Sequence, residues 1–522
     1  MVKSISLTLS PEEASTIERI KVAASHYLDV NFNDINQINI IKKSIDSRSK
    51  LPKVILHADV YIGEYPQYKY SNIFRYKSVE NSPEIIIVGS GPAGLFAALR
   101  LIEFGLKPII LERGKEILER KKDIAQLNRN NSLEKDSNYC FGEGGAGTFS
   151  DGKLYSRSNK RGNIQRVLEI FHAHGAKDEI LYEAHPHIGT DLLPQIIKNM
   201  RNHILDCGGE IHYNTCVSDF VIENNQIKGV KCANGISYNA DNVILSTGHS
   251  ARDIYYRLHQ NGIALQAKGF AMGVRVEHPQ SLIDSIQYHS KVKNPHLPAA
   301  SYSLVNQVDG RGVYSFCMCP GGHIVPSATD TDLVVVNGMS ASQRNSPYAN
   351  SGIVVEIHPE DLPSEYQQYG ELCGLKFQED FERMAFNNNG GKFQTAPAQR
   401  LGDFVRGRVS YDLPQCSYLP GIISSPLHFW MPEIIRHRLQ EGFKSFDKKM
   451  HGFLTNEAVI LGVESRTSSP IRIPRNPDTL EHIHIGGLYP AGEGSGYAGG
   501  ITSSAMDGEK CAEMIAQKLN RI

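Results

Sequence analysis

Residues 84–112 read Glu-Ile-Ile-Ile-Val-Gly-Ser-Gly-Pro-Ala-Gly, an apolar helical run, Gly105, and then Lys-Pro-Ile-Ile-Leu-Glu. Ile85–Val88 is a short unbroken apolar run, as a strand buried on both faces of a parallel sheet requires. Leu95–Phe104 carries a helical pattern, Gly105 stops it, and Pro108–Leu111 is a second strand ending at Glu112. Strand, turn, helix and strand make one βαβ unit of the dinucleotide-binding kind. Gly89 permits the tight turn, Gly91 lets backbone N–H groups reach a pyrophosphate, and Gly94 lets helix and strand pack closely. The helix start at Pro92-Ala93 adds a dipole and unpaired N–H donors. Glu112 is placed to accept hydrogen bonds from both adenosine ribose hydroxyls. A 2′-phosphate would meet its charge, an argument that the adjacent Arg113 weakens.

The remaining text divides around this unit. At 522 residues the chain is too long for one core, since domains run to roughly 100–200 residues. Residues 1–80 read as a small α+β domain: an alternating strand Ile5–Leu9, a helix opening at Ser10-Pro11-Glu12-Glu13 and running to Tyr27, a helical Asp34–Gln37, and a strand Lys53–Val60. Tyr61 to Pro83 reads as a linker. Residues 81–264 are the first part of the nucleotide-binding domain, with a helix Asp191–Cys207 and a meander, Val217 to Tyr238, that closes on the strand Asn242–Ser246. A strand-rich substrate or cap domain is expected over 265–430, with a helix over Ser364–Phe386. Residues 431–522 bring the chain back, with helices near Pro432–His451 and Ile501–Leu519 and strands near His482–Ile485 and Gly487–Tyr489. The fold class is α/β: a Rossmann-like domain interrupted by a strand-rich α+β domain and preceded by a small α+β domain.

Composition excludes some classes. Lys+Arg 55 against Asp+Glu 56 leaves no global field for nucleic acid or an anionic membrane. Nine cysteines with no CxxC pair argue against a disulfide scaffold or zinc ribbon, and no metal site is expected. The most apolar stretch, Ile85 to Leu111, carries Arg100, Glu103 and Lys107 and fails as a membrane span. With no signal peptide visible, a cytoplasmic location is expected. Glycine is the one excess, 46 residues where an average of about 7% gives roughly 37. They gather at 89–94, 142–152 and 487–500.

Gly494-Ser-Gly496-Tyr-Ala-Gly499 repeats the fingerprint spacing, but only a final helix follows it, so it is not a second nucleotide fold. Three segments together resemble the FAD-binding domain of the two-dinucleotide-fold and fumarate-reductase-like flavoproteins. They are the opening fingerprint ending in Glu112-Arg113, the meander closing on Ser246-Thr247-Gly248, and Ala491-Gly492-Glu493 before the last helix. A narrower likeness lies in Tyr489-Pro-Ala-Gly-Glu-Gly-Ser-Gly-Tyr-Ala-Gly-Gly-Ile501, Phe141–Leu154 and Ser44-Ile-Asp-Ser-Arg48. These resemble uncharacterised bacterial FAD-dependent dehydrogenases with a small N-terminal α+β domain.

The resemblance implies FAD as cofactor and assigns residues to it. Glu493 would hold a ribityl hydroxyl, and Gly500 and Ile501 would bring a helix start to the flavin N1/C2 carbonyl. Val217 would meet adenine through its backbone, Thr247 and Gly248 would close the strand end, and Gly144, Gly145 and Ala146 belong to a segment, Gly142–Lys153, that would cross the isoalloxazine. Lys153 is the charged group expected beside the flavin, against the plainer reading of a surface lysine. Arg466 is expected as a cation over an anionic substrate, against a buried ion pair with Glu464 or another acid. His249 and Arg252 either line a substrate pocket or cap a helix. Cys317-Met-Cys319 is either a redox or metal pair or two buried neutral thiols on one strand face.

The expected function is hydride transfer between a small-molecule substrate and FAD by a dehydrogenase or reductase. A separate electron donor or acceptor is needed, NAD(P)H being one candidate, since the chain has one credible nucleotide fold. A second reading is a flavin-containing binding or sensing protein, RNA-associated through Lys42, Lys43, Arg48, Lys50 and Lys53. A flavin monooxygenase is a third, disfavoured because the Gly-Asp-Ala-Ala-His run of aromatic hydroxylases is missing.

Overall fold

The computed structural model describes residues 1–66, 74, 76–155 and 162–521. Of the expected linker, residues 67–73 and 75 lie outside the described residues.

The N-terminal unit is a three-stranded antiparallel sheet, Val2–Leu9, Lys53–Ile62 and Ile35–Asp46 in spatial order, with the helix Ile17–Leu28 on one face. Alternation does what period-2 patterning demands: Ile5, Leu7 and Leu9 point inward to Ile20, Ala24, Leu56 and Val60. The helix begins later than its Ser10-Pro11 signal. Ser10 and Glu13 do exchange the reciprocal bonds of a capping box, at 2.8 and 3.2 Å, but around a turn, and Thr16 caps the helix proper. The expected helical Asp34–Gln37 is a single 3-10 turn, Phe32–Asp34, followed directly by strand. This unit is docked, not free. The Lys43 backbone exchanges hydrogen bonds with Tyr182 and Ala184, both at 2.9 Å, and His289 reaches the Ser47 carbonyl.

The second unit is a five-stranded parallel sheet in the order Leu488–Pro490, Val243–Leu245, Glu84–Val88, Lys107–Leu111, Glu210–His212. It is covered on one face by the helices Pro92–Glu103 and Ile501–Lys518, which pack on each other, and on the other by the meander Val217–Glu223, Gln226–Cys232, Ser237–Asn239. Burial on both faces explains why Ile85–Val88 and Ile109–Leu111 are apolar throughout. The expected strand His482–Ile485 is irregular; only His482 there makes an isolated bridge, with Arg475.

The third unit is a seven-stranded sheet in the order Val305–Val308, Arg311–Cys319, Tyr348–Ile357, Phe270–Pro279, Val459–Glu464, Ala396–Arg400, Ile422–Ser424. Its aromatic core, including Phe377, Phe381, Phe443, Phe446 and Phe453, joins it to the helices Cys373–Asn387 and Glu433–Lys449. The expected boundary at 430 therefore falls too early, because Val459–Glu464 pairs with Phe270–Pro279 and Glu433–Lys449 packs on the same sheet. The expected helix Ser364–Phe386 is broken into Ser364–Gln367 and Cys373–Asn387, with Gly370 at φ +54° between them. The chain leaves and re-joins the parallel-sheet unit through a two-stranded neck, Gln266–Ala267 against Ile471–Arg472. No described helix is long and apolar enough to cross a membrane.

Candidate functional site

Glu84–Val88 has Lys107–Leu111 on one side and Val243–Leu245 on the other. The sheet order reverses there, and in open α/β sheets the crevice at the carboxyl ends of such strands is where ligands bind. A cavity of about 650 Å³ opens at that point, walled on the far side by the seven-stranded sheet through Tyr314, Phe316 and Cys317 and by Asn337 of the neighbouring strand Val336–Ser340.

Of the residues expected from sequence, Gly89, Gly91, Pro92, Ala93, Glu112, Arg113, Gly145, Ala146, Val217, Thr247, Gly248, Glu493, Gly500 and Ile501 line this cavity, as do Lys153 and Arg466. Gly94 and Gly144 do not. A Cβ on Gly94 would sit 2.0 Å from the Gly89 carbonyl oxygen, and one on Gly144 would sit 2.0 Å from Thr148 Oγ1. Both glycines close the loops whose neighbours face the cavity.

Gly91 and Gly500 stand at the starts of two helices, and having no side chain they cannot cap them. Pro92, Ala93, Ile501 and Thr502 line the cavity, so two uncapped first turns form part of its wall. Glu112 is engaged differently from its sequence reading. Its buried carboxylate accepts from the Ser90 N–H and Oγ at 2.9 and 2.7 Å, the Gly114 N–H at 2.9 Å and the Gly142 N–H at 3.0 Å. Those four bonds fill a carboxylate's acceptor capacity and tie three loops together, so ribose hydroxyls would compete with the chain's own donors. Arg113 is paired with Asp253 at 2.7 Å and lies over the Phe141 ring.

The charged groups form three sets. Lys153 Nζ lies 3.2 Å from Asp151, whose other partner is Arg344 at 2.7 Å. Burial opposes both charges, but their mutual attraction wins, raising the Lys153 ammonium above its usual range and holding the Asp151 carboxyl below its own. Arg275 Nη1 meets Glu464 at 3.1 Å; burial outweighs that contact and pushes Glu464 up to about 7. In the third set Glu382, fully buried, accepts from both Arg252 and Arg466, at 2.7 and 2.9 Å. Burial works against its charge, yet the two guanidiniums hold it at about 2. Arg466 is thus in the expected buried ion pair, with Glu382 in place of Glu464. Two cations share that one carboxylate, and Arg466 also borders the cavity.

His249 lies between the third set and Glu493. Its Nε2 is 3.0 Å from the Arg466 carbonyl oxygen, which can only accept, so Nε2 carries the proton and Nδ1 is a bare acceptor. Among the described residues Nδ1 is buried without a hydrogen-bond partner and stands 3.7 Å from Glu493. Burial, aided by the Arg466 charge, holds His249 down to about 4, and burial pushes Glu493 up to about 7. The accessible part of Glu493 opens into the cavity.

Sequence reading missed Asp151, although it lies two residues from Lys153 in the glycine-rich segment already singled out. It also missed the wall contributed by Tyr314 and Phe316, which carry no local motif. Of the basic residues at 42–53, Lys43 pairs with Glu183 and Arg48 with Asp46.

Residues 269–467 match the family described as FAD-dependent protein, C-terminal domain-like, and residues 1–61 match a domain of unknown function. An uncharacterized protein of Clostridium beijerinckii is 40% identical over 512 residues, covering 94% of this chain and 95% of that protein. A thiamine thiazole synthase of Aeropyrum pernix is 26% identical over 183 residues, covering 32% of this chain and 55% of that protein. Among solved structures, L-proline dehydrogenase from P. horikoshii aligns over 85% of this chain and 95% of its own, with 12% identity and a TM-score of 0.35.

Proposed function

The chain belongs to the family of the Clostridium beijerinckii protein, and residues 269–467 match the FAD-dependent protein, C-terminal domain-like family; from that premise we propose an oxidoreductase that moves hydride between an anionic small molecule and FAD. The cavity suits that cofactor on three counts. Two uncapped helix starts offer N–H donors to a diphosphate and to a polar ring edge. Backbone at Gly248, Gly499 and Gly500 faces space in which a Cβ would meet nothing within 4 Å. The buried Nδ1 of His249 lacks a partner among the described residues, which leaves an acceptor for a molecule bound beside the cofactor.

In this reading Gly89, Gly91, Pro92 and Ala93 cradle the diphosphate, with Gly94 and Gly144 holding the loops in shape. Glu112 fixes the same loop, Arg113 packs on Phe141 beside it, Val217 borders the adenine end, and Thr247 and Gly248 border the centre. Gly145, Ala146, Glu493, Gly500 and Ile501 lie toward the ring. FAD when bound supplies two-electron hydride chemistry that no side chain provides. Lys153, kept protonated by Asp151, and Arg466, one of two cations on Glu382, draw an anionic substrate group to the cavity. His249 Nδ1 is the acceptor for the proton of a substrate hydroxyl or amine. The electron cycle is closed by a separate donor or acceptor.

The observation that carries the reading is the uncapped Pro92–Glu103 helix start at the sheet's switch point, opening on a cavity that Lys153 and Arg466 also border. Purified protein is expected to be yellow and to release FAD rather than FMN on denaturation. Anaerobic mixing with a panel of hydroxy and amino compounds bearing carboxylate or phosphate should bleach the flavin band with at least one. Protein that stays colourless in added FAD, or flavin that none of the panel reduces, counts against it.

A further inference from the structure

Cys317 and Cys319 sit at the end of the strand Arg311–Cys319, where its pairing with Tyr348–Ile357 slips between Phe316 and Cys319. A straight strand would put their Cα atoms about 6.6–6.8 Å apart, at the outer limit for a disulfide. The strand is not straight there. Cys317 is left-handed, at φ +45°, a conformation a side chain adopts only at a cost, and a bulge bends the strand that carries it. Cys319 Sγ is turned back to within 3.3 Å of the Cys317 carbonyl oxygen. Both sulfurs border one ammonium: Lys153 Nζ is 3.6 Å from Cys319 Sγ and 3.9 Å from Cys317 Sγ. Arg275 Nη2 lies 3.5 Å from Cys319 Sγ and donates to the Cys317 carbonyl at 2.8 Å. Cys317 lines the cavity and Cys319 is fully buried behind it. Both are free thiols.

The charge balance around them is uneven. Among the described residues Lys153 and Arg344 share one acid, Asp151; Arg275 pairs with Glu464; Glu493 lies close to Cys317 and Tyr302 close to Cys319. Among the described residues neutral thiols would leave one cation without a full counter-charge, and a Cys317 thiolate supplies it.

We propose that Cys317 and Cys319 are a redox-active dithiol, with Cys317 the attacking thiolate open to the cavity and Cys319 the resolving thiol behind it, acting on small-molecule disulfides. Cys317 Sγ bonds to one sulfur of R–S–S–R and displaces R–S⁻. Cys319 Sγ then bonds to Cys317 Sγ, the second R–S⁻ leaves, and the Cys319 proton passes to one of the two released thiolates. The dithiol gives up two electrons and the substrate disulfide gains them. A dithiol reductant returns the pair to its starting state, so the step does not rest on the flavin reading. The Cys319 thiol donates to Cys317 and the neighbouring cations add to it, holding Cys317 well below an ordinary thiol while Cys319 is pushed above.

The test equilibrates the full-length protein, with and without FAD, in buffers of graded reduced-to-oxidised glutathione, followed by alkylation with N-ethylmaleimide and mass analysis of the tryptic peptide Gly312–Arg344. The peptide should pass in one step from doubly alkylated to unalkylated and two hydrogens lighter. Cys319→Ser should retain glutathione on Cys317, and Cys317→Ser should retain none. In the reduced protein at pH 7 Cys317 should alkylate at least tenfold faster than in Lys153→Met. Double alkylation across every buffer, no mixed disulfide in Cys319→Ser, or equal rates in Lys153→Met would each overturn the proposal. A pair that oxidises without FAD separates this result from the fate of the flavin reading.

Discussion

Glu382 accepts from two guanidiniums in a fully buried setting, so its charge holds two others in place. Removing one member of such a set strands the rest, at a cost of about 3–5 kcal/mol. Glu382→Gln should lower unfolding stability by that amount in urea titrations, and a loss under ~1 kcal/mol would show that the arginines find other partners. Glu493 makes the opposite kind of prediction. Its carboxyl is raised from 4.5 to about 7, so between those values the folded protein holds a proton that the unfolded chain has released. Its contribution to stability therefore falls as pH rises from about 4.5 through about 7 and is flat above. Glu493→Gln should flatten that arm of the Tm-against-pH curve in flavin-free protein; Glu464 and Glu509, also raised to about 7, leave part of the slope in place. An unchanged slope would mean that Glu493 does not titrate in this window.

The fingerprint element is the most sharply defined piece of the chain. Gly94 lies so close to the Gly89 carbonyl that a methyl group must push helix from strand, an overpacking cost of about 1–3 kcal/mol. Gly94→Ala should lower Tm and reduce the FAD-to-protein ratio read from absorbance, and full flavin content would contradict the packing argument. This element was readable because its information is local: turn, helix start and both strands lie within one stretch of sequence. Ser10-Pro11 was equally local yet misleading, since its capping box closes a turn and Thr16 starts the helix. Val459–Glu464 was unreadable for another reason. Its partner, Phe270–Pro279, lies far upstream, and an apolar run does not announce which sheet it will join. Cys317 shows the same limit at the site: Cys-Met-Cys looks like two thiols on one face until the bulge turns the strand toward Lys153.

For the whole molecule, loops at the ends of one sheet carry the cavity's glycines, a second sheet roofs the cavity, and among the described residues the N-terminal unit contributes no lining residue. Protein beginning at residue 66 should therefore bind FAD with unchanged stoichiometry. A colourless truncated protein would assign the N-terminal unit a part in holding the cavity's shape through Lys43 and residues 182–184.

The parallel sheet has a consequence in time. Glu84–Val88 is made early, yet the edge strand Leu488–Pro490 and the helix that packs on Pro92–Glu103 come at the end of the chain. Roughly 400 residues separate them, about 20–80 s of synthesis at ~5–20 residues per second. Through that interval the nascent chain carries an uncovered helix face and an open edge, first at Glu84–Val88 and, once it is made, at Val243–Leu245. Its cofactor pocket closes only after the ribosome has made Leu488–Pro490 and Ile501–Lys518.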